Sequence, residues 1–509
     1  MNIDTFLAHY HIKENPFGAE EARHDPVFER LAETAAKHPD FPKILGRVDR
    51  PGTAVAFGEK GSGKTAMRLL IGRNVDEHNR KEPESRVLVV PYDDFNPVID
   101  NLVRQTGRDE AEALANIRLA DHQDAILSLA VTQLNDSLLG EATRDEEPVH
   151  LPNSDPRELK KFIRKLPPQT RTDWGLLSAL YDEPRAGTLS GRWQKVRTKL
   201  RLGGGLPMGL PLHAAGVAAV VAVALGVWMA VEPTTPNWLP IAVGVAIAAA
   251  VLLGGYWLWR HSQSWFLARQ VRQDMPSVRR TAGELRQMFA DLGTGVVSRQ
   301  PLPRPEGATD VRYQMTRRLL DVLGELNYVG IIVLIDRVDE PSAISGNPDR
   351  MKALIWPTFD NKFLQQERVG IKLLLPIELR HILHRETAAF FQEARLDKQN
   401  LVDRLTWSGA TLYDLCSTRL RACRPDDAGP ISLTDLFADD VTSEMLVDAL
   451  DQMHQPRDAF KFMYSVLQEH CRTVPEDEAN YEVPRLTLES VRRSQSQRVQ
   501  ELYRGLTPA

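Results

Sequence analysis

The chain has 509 residues, too many for one ordinary domain of about 150, so two to four folding units are expected. Its 68 acidic and 63 basic residues nearly cancel, which excludes both a uniformly basic nucleic-acid coat and an acidic tail. The three cysteines, Cys416, Cys423 and Cys471, lack metal-ligand spacing and read as reduced cytosolic thiols.

The first residues, MNIDTFLAHYHIKENPFG, carry neither a basic n-region nor an apolar h-region. No cleaved signal peptide is expected, and the N-terminal part should start in the cytosol. Residues 53–57 (TAVAF) read as a short buried strand, and TAMRLLIGR as a helix with Met67, Leu70 and Ile71 on one face. Between them stand Gly58, Glu59, Lys60, Gly61, Ser62, Gly63, Lys64 and Thr65, a complete Walker A spacing in its strand–loop–helix context. Gly58, Gly61 and Gly63 let the backbone wrap an anion, so that amides of the turn and of the helix start face a β-phosphate. Lys64 would reach the β- and γ-phosphates of ATP, and the Thr65 hydroxyl would ligate Mg²⁺.

Residues 86–96 (RVLVVPYDDFN) suggest a second strand. Asp93 and Asp94 at its end lie near the site, although solvated turn carboxylates have the same signature. From about 105 to 198 the pattern is helical, broken by polar linkers such as EEPVHLPNSDP, and contains no motif assignable to chemistry.

Two uncharged runs follow, 214–231 and 238–259. As helices they would span roughly 27 and 33 Å, against a hydrocarbon core of about 30 Å. They are apolar on every face, unlike most buried core helices. Arg192, Lys195, Arg197, Lys199 and Arg201 precede them, Arg260, Arg269 and Arg272 follow, and the EPTTPN link carries only Glu232. By the positive-inside rule this is a transmembrane hairpin with both flanks cytoplasmic. Trp228, Trp238, Tyr256, Trp257 and Trp259 sit where interface anchors would.

A Walker A loop needs a carboxylate at the end of a buried strand for the metal, and usually a second to align the attacking water. The apolar run 329–335 ends in Asp336, with Asp339 and Glu340 just beyond. Asp336 is expected in the Mg²⁺ shell, and Glu340 or Asp339 at the water. Further strands are expected at 370–376 (GIKLLLP) and 400–407 (NLVDRLTW). Arg380, Arg385 and Arg404 are candidates for an arginine acting in trans, or ordinary surface arginines. The remainder is helical, with a fresh start at QPRDAFKFMYSVL that puts Arg457 in a first turn.

Together, the Walker A loop, the aliphatic strand ending in Asp-x-x-Asp-Glu and the later Pro-Arg resemble the additional-strand (ASCE) P-loop NTPases of the AAA+, STAND and KAP type. IDRVDEP is similar to the hhhhDxxDE Walker B form of the STAND and KAP branches. HQPRDAFKFM resembles the sensor 2 segment of AAA+ lids, which implies that Arg457 touches the γ-phosphate. ENPFG (14–18) is similar to the Asn-Pro-Phe stretch near the adenine pocket of several AAA+ ATPases. A hairpin between the two Walker motifs is closest in architecture to bacterial KAP-family NTPases. The usual Asp-Asp-x-Asp-Arg of that branch is altered, since Arg337 follows the first Asp and Glu340 stands in the arginine's position.

The resemblance implies an α/β fold: a parallel-sheet P-loop core with a helical lid and an inserted two-helix transmembrane hairpin. The expected divisions are 1–104, the first half of the core; 105–210, a helical insertion; 211–260, the hairpin; 261–410, the second half; and 411–509, the lid. It further implies a Mg²⁺-dependent ATPase in the bacterial inner (cytoplasmic) membrane, both termini cytoplasmic. That ATPase would act as a conformational switch in regulation or anti-phage defence, as a homo-oligomer, with an effector protein from a neighbouring gene. An ATP-binding scaffold or sensor with little turnover, and an oligomeric membrane motor or pore, are the alternatives. Gly216, Gly226 and the small residues 244–250 could pack hairpins closely. Nucleic acid is not indicated, because the basic cluster 192–201 is explained by the membrane.

Overall fold

The computed structural model describes residues 1–18, 22–31, 38–141, 148–151, 156–184, 188–203, 210–231, 236–304, 310–475 and 479–503. Glu232 and most of the expected hairpin link therefore lie outside the described residues. The chain forms two compact units, one of Met1–Asp94 with Ile331–Ala509, the other of Phe95–Gly330.

The first unit is built on a five-stranded parallel sheet. Its strands are β1 (Ala54–Gly58), β2 (Arg86–Tyr92), β3 (Tyr328–Ile335), β4 (Val369–Pro376) and β5 (Asn400–Val402), ordered β2-β3-β4-β1-β5. Both central strands are β-branched or leucine-rich and buried along nearly their whole length, as strands covered on both faces must be. β4 lies between the strand that feeds the glycine loop and the strand that ends at Asp336, with Ala54 opposite Lys372 and Ile335 opposite Leu373. The expected strand at 400–407 shrinks to the three residues of β5, beyond which the Leu405 amide still donates to the Phe57 carbonyl of β1 at 2.8 Å.

Lys372 is a charged residue in the middle of this apolar sheet, wholly buried. Its ammonium donates to the carbonyls of Leu45 and Gly52 at 2.9 and 2.7 Å, tying down the segment that leads into β1. Burial pushes its pKa from 10.5 down to about 8.

The C-terminal helices Gly409–Ala422, Ser443–Asp451, Pro456–Thr473 and Arg485–Tyr503 build a separate core in this unit. The N-terminal segment belongs to that core and not to the sheet. Phe6, Leu7, Ile12 and Phe17 bury against Leu412, Leu450, Phe462 and Leu467, and the Met1 ammonium donates to the Val474 carbonyl at 2.9 Å. Cys416, Cys423 and Cys471 are free and buried here.

The described part of the second unit is helical. It contains the Ala282–Leu292 and Val311–Gly324 helices, so its boundary comes much later than the expected division at 260. The region without a motif in the sequence proves rich in buried ion pairs. Arg312 meets Asp124 and Asp274 at 2.9 and 2.7 Å, and Tyr181 donates to Asp124 at 3.1 Å. Arg192 meets Asp136 and Asp182 at 2.7 and 2.9 Å.

Two helices of this unit, Leu210–Val231 and Leu239–Asp274, are long and apolar enough to cross a membrane. They pack side by side, with Trp228 and Trp238 in edge contact at 6.2 Å. Their remaining faces are uncovered, as at Val220 (69 % exposed) and Leu252 (72 %), which is the opposite of a soluble core helix. A Cβ built at Gly216, Gly226 or Gly244 would meet nothing within 4 Å; these glycines do not mediate close packing within the chain. The second helix does not end with its apolar stretch but runs on to Asp274.

Candidate functional site: a glycine loop at the sheet edge

β1 ends at Gly58, and the Lys64–Lys81 helix begins six residues later. The intervening loop turns through Gly61 and Gly63, whose φ values of 95° and 92° lie where side chains are strained. Gly58 is required for a different reason: a Cβ there would stand 2.3 Å from the Ser62 hydroxyl. That hydroxyl is itself buried with no hydrogen-bond partner. Lys60 is exposed. The Lys64 ammonium folds over the loop and donates to the carbonyls of Gly58 and Glu59 at 2.8 and 2.9 Å. Burial lowers its pKa, against the opposing charges of Asp336, Asp339, Glu378 and Glu59.

Parallel pairing carries β3 and β1 in the same direction, so Asp336 at the end of β3 emerges beside the loop. The Thr65 hydroxyl donates to its Oδ2 at 3.0 Å, across 271 residues of sequence. Asp336 is buried, and burial raises its pKa while Arg68, Lys64 and the Thr65 hydrogen bond hold it down.

Arg68 is a residue the sequence did not single out. Its Nε lies 3.6 Å from Asp336 and its Nη1 3.1 Å from Asp93 at the end of β2, and Arg23 reaches Asp93 at 2.6 Å. Asp93 is therefore part of the site's charge network and not a solvated turn carboxylate. The available signal was an arginine one turn after Thr65, on a helix face that should otherwise be apolar.

Asp339 is half-buried, and its carbonyl accepts from the Gly346 amide at 3.0 Å. Glu340 is half exposed and pairs with Arg337 at 2.6 Å, in a turn where Arg337 has a φ of 62°.

The loop is also gripped from the C-terminal side. The Trp407 indole donates to the Ser62 carbonyl at 2.9 Å. Gln455 donates to Glu59 at 2.9 Å, and Arg404 pairs with Glu59 at 2.5 Å. The Pro456–Thr473 helix starts against the loop, so a Cβ added at Gly61 would lie 2.9 Å from the Cβ of Arg457. The Arg457 Nε is buried without a hydrogen-bond partner. Of the arginines considered for a role in trans, Arg404 is committed to Glu59 and Arg380 pairs with Asp403; Arg385 lies just past the Ile377–Leu383 helix.

The ENPFG segment packs beside the Pro456–Thr473 helix. Phe17 lies 6.3 Å from the Phe460 ring, and Arg419 donates to the Pro16 carbonyl at 2.6 Å while pairing with Asp25.

A glycine loop with an ammonium and an unpaired guanidinium nitrogen beside it suits a polyphosphate. The two hard oxygen donors of Thr65 and Asp336 suit Mg²⁺, which takes one or two protein ligands and the rest from phosphate and water. Among the described residues no cluster of three or more His, Cys, Asp or Glu could hold a metal unaided. Comparison with protein-family models and with curated proteins finds no match for the chain.

Proposed function

We propose that this chain is a membrane-anchored, Mg²⁺-dependent P-loop ATPase that works as a conformational switch. The observation that carries the reading is the meeting of Lys64, Thr65 and Asp336, with the Thr65 hydroxyl 3.0 Å from the carboxylate. The insertion of β4 between β1 and β3 supports the additional-strand branch, and the exposed apolar hairpin supports the anchor.

In this reading the loop amides and Lys64 hold the β- and γ-phosphates, and the Lys64 ammonium leaves the carbonyls of Gly58 and Glu59 to do so. Thr65 and Asp336 would hold Mg²⁺, which would neutralise charge on the transferred phosphoryl group. Arg457 turns its unpaired nitrogen to the same phosphate. Asp339 is the better placed carboxylate to orient water. The Gln455 and Arg404 contacts to Glu59 make the C-terminal helices sensitive to loop geometry, so occupancy of the loop is felt in the lid.

The position of Glu340, paired to Arg337 and facing solvent, favours the second reading, a nucleotide-binding sensor with little turnover. Phosphate release by the full chain in nanodiscs separates the two. Asp339→Asn abolishing release while ATP binding persists supports the enzyme. Background release by the unmutated chain under several assembly conditions supports the sensor, and failure of Lys64→Ala to weaken ATP binding sinks both.

A further inference from the structure

The second unit contains an open cleft of about 590 Å³ that the nucleotide site does not use. It lies between the Asn96–Thr106 and Glu110–Ala115 helices, the start of the Leu119–Leu139 helix and the far end of the Leu239–Asp274 helix. Four arginines line it, Arg108, Arg118, Arg269 and Arg272, against one carboxylate, Asp121.

Among the described residues, pairing leaves two of these arginines unopposed, Arg269 and Arg272. Asp121 is consumed by Arg118, which bonds it through its amide at 2.9 Å and its guanidinium at 3.1 and 3.2 Å. Asp274, 3.5 Å from Arg118, is taken by Arg312 at 2.7 Å. Arg108 has Glu112 at 3.4 Å. Arg269 and Arg272 are one turn apart and exposed, with no ion pair within 4 Å among the described residues. The Arg269 guanidinium stacks over the Trp265 ring, 5.3 Å away, which orients it. Gln273 adds an amide to the wall.

We infer that this cleft is a second anion site, for a small molecule bearing several phosphate groups. The two unpaired guanidinium forks of Arg269 and Arg272, one turn apart on the same helix, can each match phosphate oxygens in pairs, and the volume is that of an ordinary small-ligand site. The phosphates could belong to a soluble molecule or to a lipid headgroup. Arg269 and Arg272 stand roughly 15 and 20 Å along the helix beyond Trp259, whereas a headgroup layer is about 5–8 Å deep. The soluble source therefore fits the geometry better.

The test uses the full chain in phosphatidylcholine nanodiscs, titrated calorimetrically with inorganic tripolyphosphate without Mg²⁺. Lys64→Ala removes the loop's contribution, so what binds in that background reports the cleft whether or not the ATPase reading holds. Residual binding is expected there, weakened about tenfold for each of Arg269→Gln and Arg272→Gln. Adding phosphatidylinositol bisphosphate to the nanodiscs identifies the source. Arginine-dependent loss of the tripolyphosphate heat assigns the site to the lipid headgroup, and its survival to a soluble anion. No residual binding in the Lys64→Ala chain, or residual binding indifferent to both arginine substitutions, overturns the inference.

Discussion

Lys372 offers the sharpest quantitative test of the fold that carries the site. Its pKa falls from 10.5 to about 8 because burial disfavours the charged form, a differential of about 3 kcal/mol at roughly 1.36 kcal/mol per unit. The sign follows from proton binding. Below about pH 8 the ammonium is charged whether folded or unfolded, and the whole penalty is present. From about 8 to 10.5 the unfolded chain keeps the proton while the folded chain has lost it, so stability rises with pH through that window. Lys372→Met removes this slope. At neutral pH the substitution relieves the penalty but strands the Leu45 and Gly52 carbonyls, each at a cost of about 1–3 kcal/mol, so the net change there is small. Thermal and urea midpoints of both proteins should be measured at pH 7.5 and 10. The unmutated chain should gain up to about 3 kcal/mol on the variant between them. A difference that is independent of pH, or that grows in the variant's favour, would refute the assignment of that penalty to Lys372.

Gly61→Ala combines a φ of 95° with a 2.9 Å approach to Arg457; a loss of about 1–3 kcal/mol and weaker nucleotide binding are expected, read by melting and by nucleotide titration. Arg68→Met leaves Asp93 and Asp336 without their shared guanidinium and should cost about 3–5 kcal/mol. The melting temperature should recover with Mg²⁺-ATP and not with ATP alone if Asp336 holds the ion. Arg312→Met removes the guanidinium shared by Asp124 and Asp274, leaving Asp124 with the Tyr181 hydroxyl and Asp274 with Arg118 at 3.5 Å, for a loss of about 3 kcal/mol. Hydrogen exchange should rise in the Leu119–Leu139 and Val311–Gly324 helices and leave the β1 and β4 amides unchanged.

The elements legible in the sequence were those with a local signature. A glycine spacing before an apolar helix, and an aliphatic run ending in an aspartate, located β1, β3, Thr65 and Asp336. β4 was visible for the same reason, as an unbroken aliphatic run, although nothing in its pattern announced that Lys372 would be satisfied by two carbonyls. Other features depend on partners far apart in the chain. Trp407 meets Ser62, Gln455 meets Glu59, and Phe6 buries beside Phe462, and no periodicity encodes such meetings. The Arg312 network was hidden for a further reason, since charged residues on helices ordinarily mark a solvated face. Glu340 has a partner that its sequence position did not suggest, Arg337, two residues from Asp339.

The Leu239–Asp274 helix is an unbroken rod of 36 residues, about 54 Å long. Its final stretch beyond Trp259 is a lever arm of about 22 Å, with Asp274 at the tip. Tilting the apolar part by about 10° would sweep that tip by about 4 Å, more than the 2.7 Å separating Asp274 from Arg312. If the proposed membrane span holds, small changes in tilt, such as those imposed by bilayer thickness, would act on this buried ion network.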